Sequence, residues 1–182
     1  MARQALSLKA RAVGLLAQRE HSRAELRSKL LRIEQQRLRL AASLAEAAGQ
    51  GGARHECEAG GDDEGAGMAP DEEAVDALLD ALAAEGYLSE TRFVESRLHV
   101  RAGRFGLQRI QQELARHGLR LDAGQQDALR ATELERASEV WLKRFGPEPA
   151  TAAAEQARQM RFLMARGFSG EVVRRVLRRS KP

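Results

Sequence analysis

Apolar residues recur every three or four positions along most of the chain, and short joints rich in Gly, Ser and Asp interrupt them. This spacing predicts amphipathic helices, and no stretch alternates apolar and polar residues as a half-buried strand would. A first helix is predicted over Leu6–Gln18, with Leu6, Val13 and Leu16 on one face. A second opens at Ser22, where Ser22 and Glu25 match a capping box. Its Leu26, Leu30 and Ile33 form the stripe, and the helix runs on through Leu44 to about Ala48. A third follows Asp71 with Val75, Leu78, Leu79 and Leu82 buried, and a fourth carries Phe93, Val94 and Leu98 until Gly103 to Gly106 break it. The fifth holds Ile110 and Leu114 and ends at Gly118 in the left-handed conformation. Asp122 caps a short sixth helix with Leu129. Thr132 and Glu135 match a second capping box, opening a seventh with Val140, Trp141 and Leu142 that Gly146 ends. The eighth carries Met160, Leu163 and Met164, and the ninth starts at Ser169 with Val172, Val173, Val176 and Leu177.

The joints repeat. They read R-E-H-S at Arg19 to Ser22, E-G-Y-L-S at Glu85 to Ser89 and R-G-F-S at Arg166 to Ser169, with a looser H-G-L-R-L-D from His117 to Asp122. Middle helices also align, as Ser22, Leu26 and Leu30 against Gly106, Ile110 and Leu114. Nine helices therefore divide into three triplets, and units this small bury their stripes by sharing faces with neighbours. The expected fold is all-α: three tandem three-helix repeats at 1–85, 86–131 and 132–182, forming an elongated, curved helical array. Tyr87 and Phe168 hold like positions in their joints and are expected to pack between helices. The Ser residues of the joints are expected to be caps rather than nucleophiles.

One junction departs from the pattern. Gly49 to Pro70 holds seven glycines, two acidic clusters and almost no large apolar residue, a composition that cannot offset its own ordering entropy. It reads as a disordered insertion in repeat one, and extending a loop that far costs only about 2 kcal/mol of closure entropy. It is expected to serve either as an inert linker or as an acidic run that folds back over a basic face and competes with DNA. Its His55 and Cys57 lack a second ligand pair at metal-site spacing, so neither a metal nor another cofactor is expected.

Charge is unevenly placed. Positions 1–40 hold ten Lys/Arg against three Asp/Glu, positions 41–76 hold one against ten, and positions 151–182 hold eight against two. Basic ends around an acidic middle suit a polyanionic or acidic partner. No apolar run reaches the roughly 20 residues of a membrane span. A single cysteine fits a reducing cytoplasm. Phosphate-binding loop, zincin and nucleophile-elbow motifs are lacking, so no catalytic residue and no enzymatic activity are expected.

Three stretches together resemble the bacterial RecX family, regulators of RecA recombinase. They are L-L-A-Q-R-E-H-S-R-A-E-L-R-S-K-L from Leu15 to Leu30, L-A-A-E-G-Y-L-S-E-T-R-F-V-E-S from Leu82 to Ser96 continuing through R-A-G-R-F-G-L-Q-R-I-Q-Q-E-L from Arg101 to Leu114, and R-F-L-M-A-R-G-F-S-G-E-V-V-R-R-V-L from Arg161 to Leu177. The resemblance covers nearly the whole chain except the insertion, which the family does not require. It implies a non-enzymatic modulator that binds RecA filaments on DNA, lodges in their groove or blocks their growth, and curbs ATPase and strand exchange; the protein itself is expected to be a monomer.

Three arginine clusters beside the joints are the candidate contacts to the filament or to single- or double-stranded DNA, the latter weak and salt-sensitive. They are Arg19, Arg23 and Arg27; Arg101, Arg104 and Arg109; and Arg158, Arg161 and Arg166. Each cluster could equally coat a solvated helix face. Two other functions stay open: a helical, sequence-nonspecific DNA-binding protein, or a helical protein–protein adaptor.

Overall fold

The computed structural model describes residues 6–49, 69–148 and 150–179. Residues 50–68 of the expected insertion, with His55 and Cys57, lie outside the described residues. Among the described residues the secondary structure is entirely helical. The chain forms two compact units, the first ending at Ser89 and the second beginning at Glu90.

The first unit contains α1 (Leu8–Gln18), α2 (Arg23–Gly49) and α3 (Glu72–Ala84). Its core joins Ala12 of α1, Leu26 and Leu30 of α2, and Val75, Leu79 and Leu82 of α3, with Leu88 from the following joint. The α1 stripe differs from expectation. Leu6 lies outside the helix and is 64% exposed, Val13 and Leu16 are only partly buried, and Ala12 is the fully buried position. Ser7 caps this helix by accepting from Ala10 N at 3.2 Å. Helix α2 runs on beyond its packed turns, so Leu40 and Leu44 stand 65% and 70% exposed.

The second unit contains α4 (Glu90–Arg101), α5 (Leu107–Ala115), α6 (Ala123–Ala131), α7 (Glu133–Phe145), α8 (Ala153–Ala165) and α9 (Gly170–Arg179). One core cluster draws Phe93 and Val94 from α4, Leu107, Ile110 and Leu114 from α5, and Leu129 from α6. The other draws Ala137 and Trp141 from α7, Leu163 from α8 and Val173 and Val176 from α9, with Phe168 between. The Trp141 indole N–H donates to Gln159 Oε1 at 2.9 Å, which satisfies both buried polar groups. Because Gln159 and Leu163 take the inner positions of α8, Met160 and Met164 turn outward to 41% and 51% exposure. Leu142 is 50% exposed for the same reason, one position beyond Trp141.

The joints share one construction. Gly118 and Gly167 adopt φ of 74° and 80°, and the next residue closes each helix end with an N–H bond back five residues. These bonds are Leu119 N to Leu114 O at 3.1 Å and Phe168 N to Leu163 O at 3.3 Å, the pattern of a Schellman C-cap. Gly86 is left-handed as well, but there Leu88 is buried and Tyr87 is 50% exposed, contrary to the expected packing role of Tyr87. Ser22 and Ser169 cap their helices, accepting from Glu25 N at 3.1 Å and Val172 N at 3.4 Å.

Asp122 forms a full capping box with Gln125. The expected Thr132 capping interaction does not form. Thr132 ends α6 as well as starting α7, at φ −97° and ψ 0°, and its hydroxyl donates back to Ala128 O at 3.1 Å. A hydroxyl turned toward the last carbonyls of one helix cannot also cover the first amides of the next.

Two joints of the second unit meet backbone to backbone. Gly106 N donates to Arg166 O at 2.9 Å and Gln108 N donates to Gly167 O at 3.2 Å. A Cβ on Gly106 would lie 2.2 Å from Gly167 O, and one on Gly167 would lie 2.4 Å from Arg109 N. Leu107 N, between them, donates to the buried Glu133 carboxylate at 3.2 Å. The first amides of α5 are thus satisfied by the C-terminal end of α8 and by an acid of α7, where both the hydrogen bonds and the helix dipoles are favourable.

Arg136, buried beside Glu133, donates to Ala102 O, Phe105 O and Leu129 O at 2.6, 2.7 and 2.7 Å. Burial lowers the pKa of Arg136 and the Glu133 charge opposes that. Replacing Gly106 by Ala should therefore lower the unfolding free energy of this unit by about 3 kcal/mol, the scale of two broken buried hydrogen bonds plus overpacking. Gly103 has open space where a Cβ would go, so Gly103→Ala is the matched control and should be nearly neutral. Urea unfolding followed by Trp141 fluorescence checks this, and equal stability of the two variants would contradict the contact.

Candidate partner-binding surface

The structure separates the nine candidate arginines into those tied to carboxylates and those left open. Arg19, at the end of α1, hydrogen-bonds the Glu25 carboxylate through both terminal nitrogens. Arg23 reaches Asp80 at 2.6 Å. Arg27 bridges Glu72 and Asp76, each at 2.7 Å. Its hydrogen bonds to Asp76 and Glu72 raise the Arg27 pKa, and the Arg27 hydrogen bond lowers that of Asp76. In the first unit the basic cluster therefore links α2 to α3 and spans the α1–α2 joint, over the apolar core that packs these helices.

In the second unit, Arg101 bonds Glu113 at 3.1 and 3.2 Å, and Arg158 pairs with Glu155 at 2.7 Å. The Arg158 hydrogen bond lowers the Glu155 pKa. Arg104, Arg109 and Arg161 are exposed, and with Arg166 they have no carboxylate partner among the described residues. Arg109 does something else as well: its backbone and Cβ form the surface against which Gly167 sits.

Phenylalanines organise the second-unit arginines. Arg101 lies over Phe105 at 5.5 Å, and Arg166 lies over both Phe105 at 5.7 Å and Phe162 at 4.5 Å. Phe162 meets Phe145 edge to face at 5.2 Å, and Arg144 and Arg158 lie over Phe145 at 6.0 and 5.7 Å. Arg166 also donates to Arg104 O at 3.3 Å. A continuous string of rings and guanidiniums thus brings Arg101, Arg104, Arg158 and Arg166 together, held by quadrupole attraction as well as by packing.

Beside the string, the α4–α5 turn, α7 and α8 enclose an open groove of about 430 Å³. Gly103, Arg104, Val140, Lys143, Arg144, Phe162 and Arg166 line it. Lys143, Arg144 and the three phenylalanines were not singled out by the sequence. The available signal was Arg and Phe at i, i+4 spacing: Arg101 with Phe105, then Arg158, Phe162 and Arg166 along α8. Among the described residues, His, Cys, Asp and Glu form no cluster that could hold a metal ion, and no helix is long and apolar enough to cross a membrane.

The comparisons with known proteins agree along the chain. A family model described as RecX, third three-helix domain, matches residues 131–177. The regulatory protein RecX of Leptothrix cholodnii is 47% identical over 97% of this chain and 90% of its own length. Those of Ralstonia pickettii and Chromobacterium violaceum are 45% and 34% identical, covering 96% and 97% of this chain and 89% and 93% of their own lengths.

The first-unit cluster makes stability depend on pH. His21 is buried, with Nδ1 3.3 Å from Glu25 Oε2 but not aligned to hydrogen-bond. Burial and the Arg19 charge lower the His21 pKa against the pull of Glu25. Burial also opposes ionisation of Glu25, but the Arg19 hydrogen bonds and the charges of His21, Arg19 and Lys29 outweigh it and bring the carboxyl down to about 2. Both folded values lie below the unfolded ones, so both contributions are complete at higher pH and are lost on acidification. The His21 contribution should fall away below pH 6.5, and the Glu25 contribution should follow between 4.5 and about 2. Urea unfolding of His21→Gln should show a flatter pH dependence than the parent between pH 7 and 5, whereas parallel curves would show that His21 does not set it.

Proposed function

The chain belongs to the RecX family of regulatory proteins, and from that premise we propose that it binds RecA nucleoprotein filaments and lowers their ATPase and strand-exchange activity. The observation that carries the proposal is similarity to regulatory RecX proteins over nearly the full chain. In this reading the protein is a non-enzymatic cytoplasmic monomer. Its three-helix repeats, residues 1–85, 86–131 and 132–182, form the scaffold, and its open basic residues meet the filament or its DNA. The surface of the second unit suits that role, because it offers Arg104, Arg109, Arg161 and Arg166 without acid partners among the described residues.

The test is DNA-dependent RecA ATPase, titrated with substoichiometric protein at a salt concentration that abolishes binding to bare DNA. Inhibition is the expected result. Unchanged ATPase together with salt-sensitive DNA binding would replace this reading with that of a nonspecific DNA-binding protein, and inactivity in both assays would leave a helical adaptor.

A further inference from the structure

The groove between the α4–α5 turn, α7 and α8 gathers basic side chains in one concave space. Several other arginines answer to acids: Arg19 to Glu25, Arg27 to Glu72 and Asp76, Arg101 to Glu113, Arg158 to Glu155. Here Arg104, Lys143, Arg144 and Arg166 converge, none has a carboxylate partner among the described residues, and no acid lines the space. Four like charges brought together by a folded scaffold repel one another, a cost that an anionic ligand would remove.

The geometry also shows what kind of anion. Arg166 is held in advance, its guanidinium over Phe105 and Phe162 and one N–H on Arg104 O. Fixing a long side chain before binding cuts the entropy lost on binding and suits the guanidinium for two-pronged contact with phosphate oxygens. Gly103 leaves the turn without a side chain at the edge of the groove. The nearby backbone donors are already engaged, since Gly106 and Gln108 donate to Arg166 O and Gly167 O. An extended acidic peptide would gain no main-chain bonds from them, a usual source of peptide affinity. Guanidinium cover over Phe162 and Phe145 also leaves these rings poor platforms for stacked bases.

We propose that this groove seats consecutive phosphates of a nucleic-acid backbone without reading its sequence, with Arg104, Lys143, Arg144 and Arg166 as the contacting groups. The inference rests on the DNA-contacting half of the proposed function. It is tested without recombinase, so its failure and that of the filament reading are distinguishable.

The probe is fluorescein-labelled oligothymidylate, titrated by anisotropy against the full chain over a series of salt concentrations, with labelled polyglutamate as the peptide alternative. Lys143 and Arg144 are exposed, so Lys143→Gln/Arg144→Gln should fold normally. It should weaken oligothymidylate binding about tenfold at low salt and make the log K against log salt slope shallower by about 1 to 2. Arg174→Gln/Arg175→Gln removes the same charge from exposed positions on α9 and should change binding less than twofold. Equal weakening by both double variants would reduce the effect to net charge and overturn the proposal. So would unaltered binding by the groove variant, or loss of polyglutamate binding with oligothymidylate binding intact.

Discussion

The second unit depends on a place where two chain segments touch without side chains. Gly106 and Gly167 bring the start of α5 and the end of α8 so close that either Cβ would collide with backbone. At that distance amides that open α5 bond to carbonyls that close α8, and each helix end supplies what the other lacks. Glu133 and Arg136 extend the same exchange. One buried acid takes the amide of Leu107, and one buried base takes carbonyls that end the α4 turn and α6. A buried charge of either sign would be costly alone, but here each is hydrogen-bonded to helix termini that need it. The result ties the core of α4–α6 to that of α7–α9.

This tie places the candidate surface. Arg166 and Gly103 lie on the two segments it joins, and Phe105 and Phe162 come together around Arg166 as a consequence. The arginine excess in the sequence thereby resolves into two jobs. In the first unit, Arg19, Arg23 and Arg27 hold helices through carboxylates. In the second, aromatic rings hold Arg144 and Arg166 in place without a carboxylate partner among the described residues, whereas Arg101 and Arg158 lie over rings and pair with acids as well. A cation stacked on a ring keeps its outward N–H groups available in a way that a cation paired to an acid does not.

The helices and most of their inner faces were legible in the sequence, because the three-to-four residue period fixes which residues turn inward. Leu26, Leu30, Ile110, Leu114, Leu163 and Val173 are all buried as that period requires. The period blurs where neighbouring apolar residues compete, which is why Leu142, Met160 and Met164 are outside while Trp141 and Leu163 are inside. Capping chemistry was legible at Asp71 and Asp122 but not at Thr132, whose dual position turns its hydroxyl backward. The candidate surface was only half legible. Arg beside a joint looks the same in sequence whether an acid from a distant helix or a ring one turn away receives it. Those distant partners, Asp80 for Arg23 or Phe105 for Arg166, are set by tertiary contacts that no local spacing encodes.

Helix α5 has no independent N-terminus: its first amides are closed by α7 and α8. Native-state hydrogen exchange at Gly106, Leu107 and Gln108 tests it most directly. These amides are expected to open only with the α7–α9 core, at the same free energy as the amide of Phe168. Exchange at a markedly lower free energy, while Phe168 stays protected, would show instead that the helix end frays on its own and is not closed by α7 and α8.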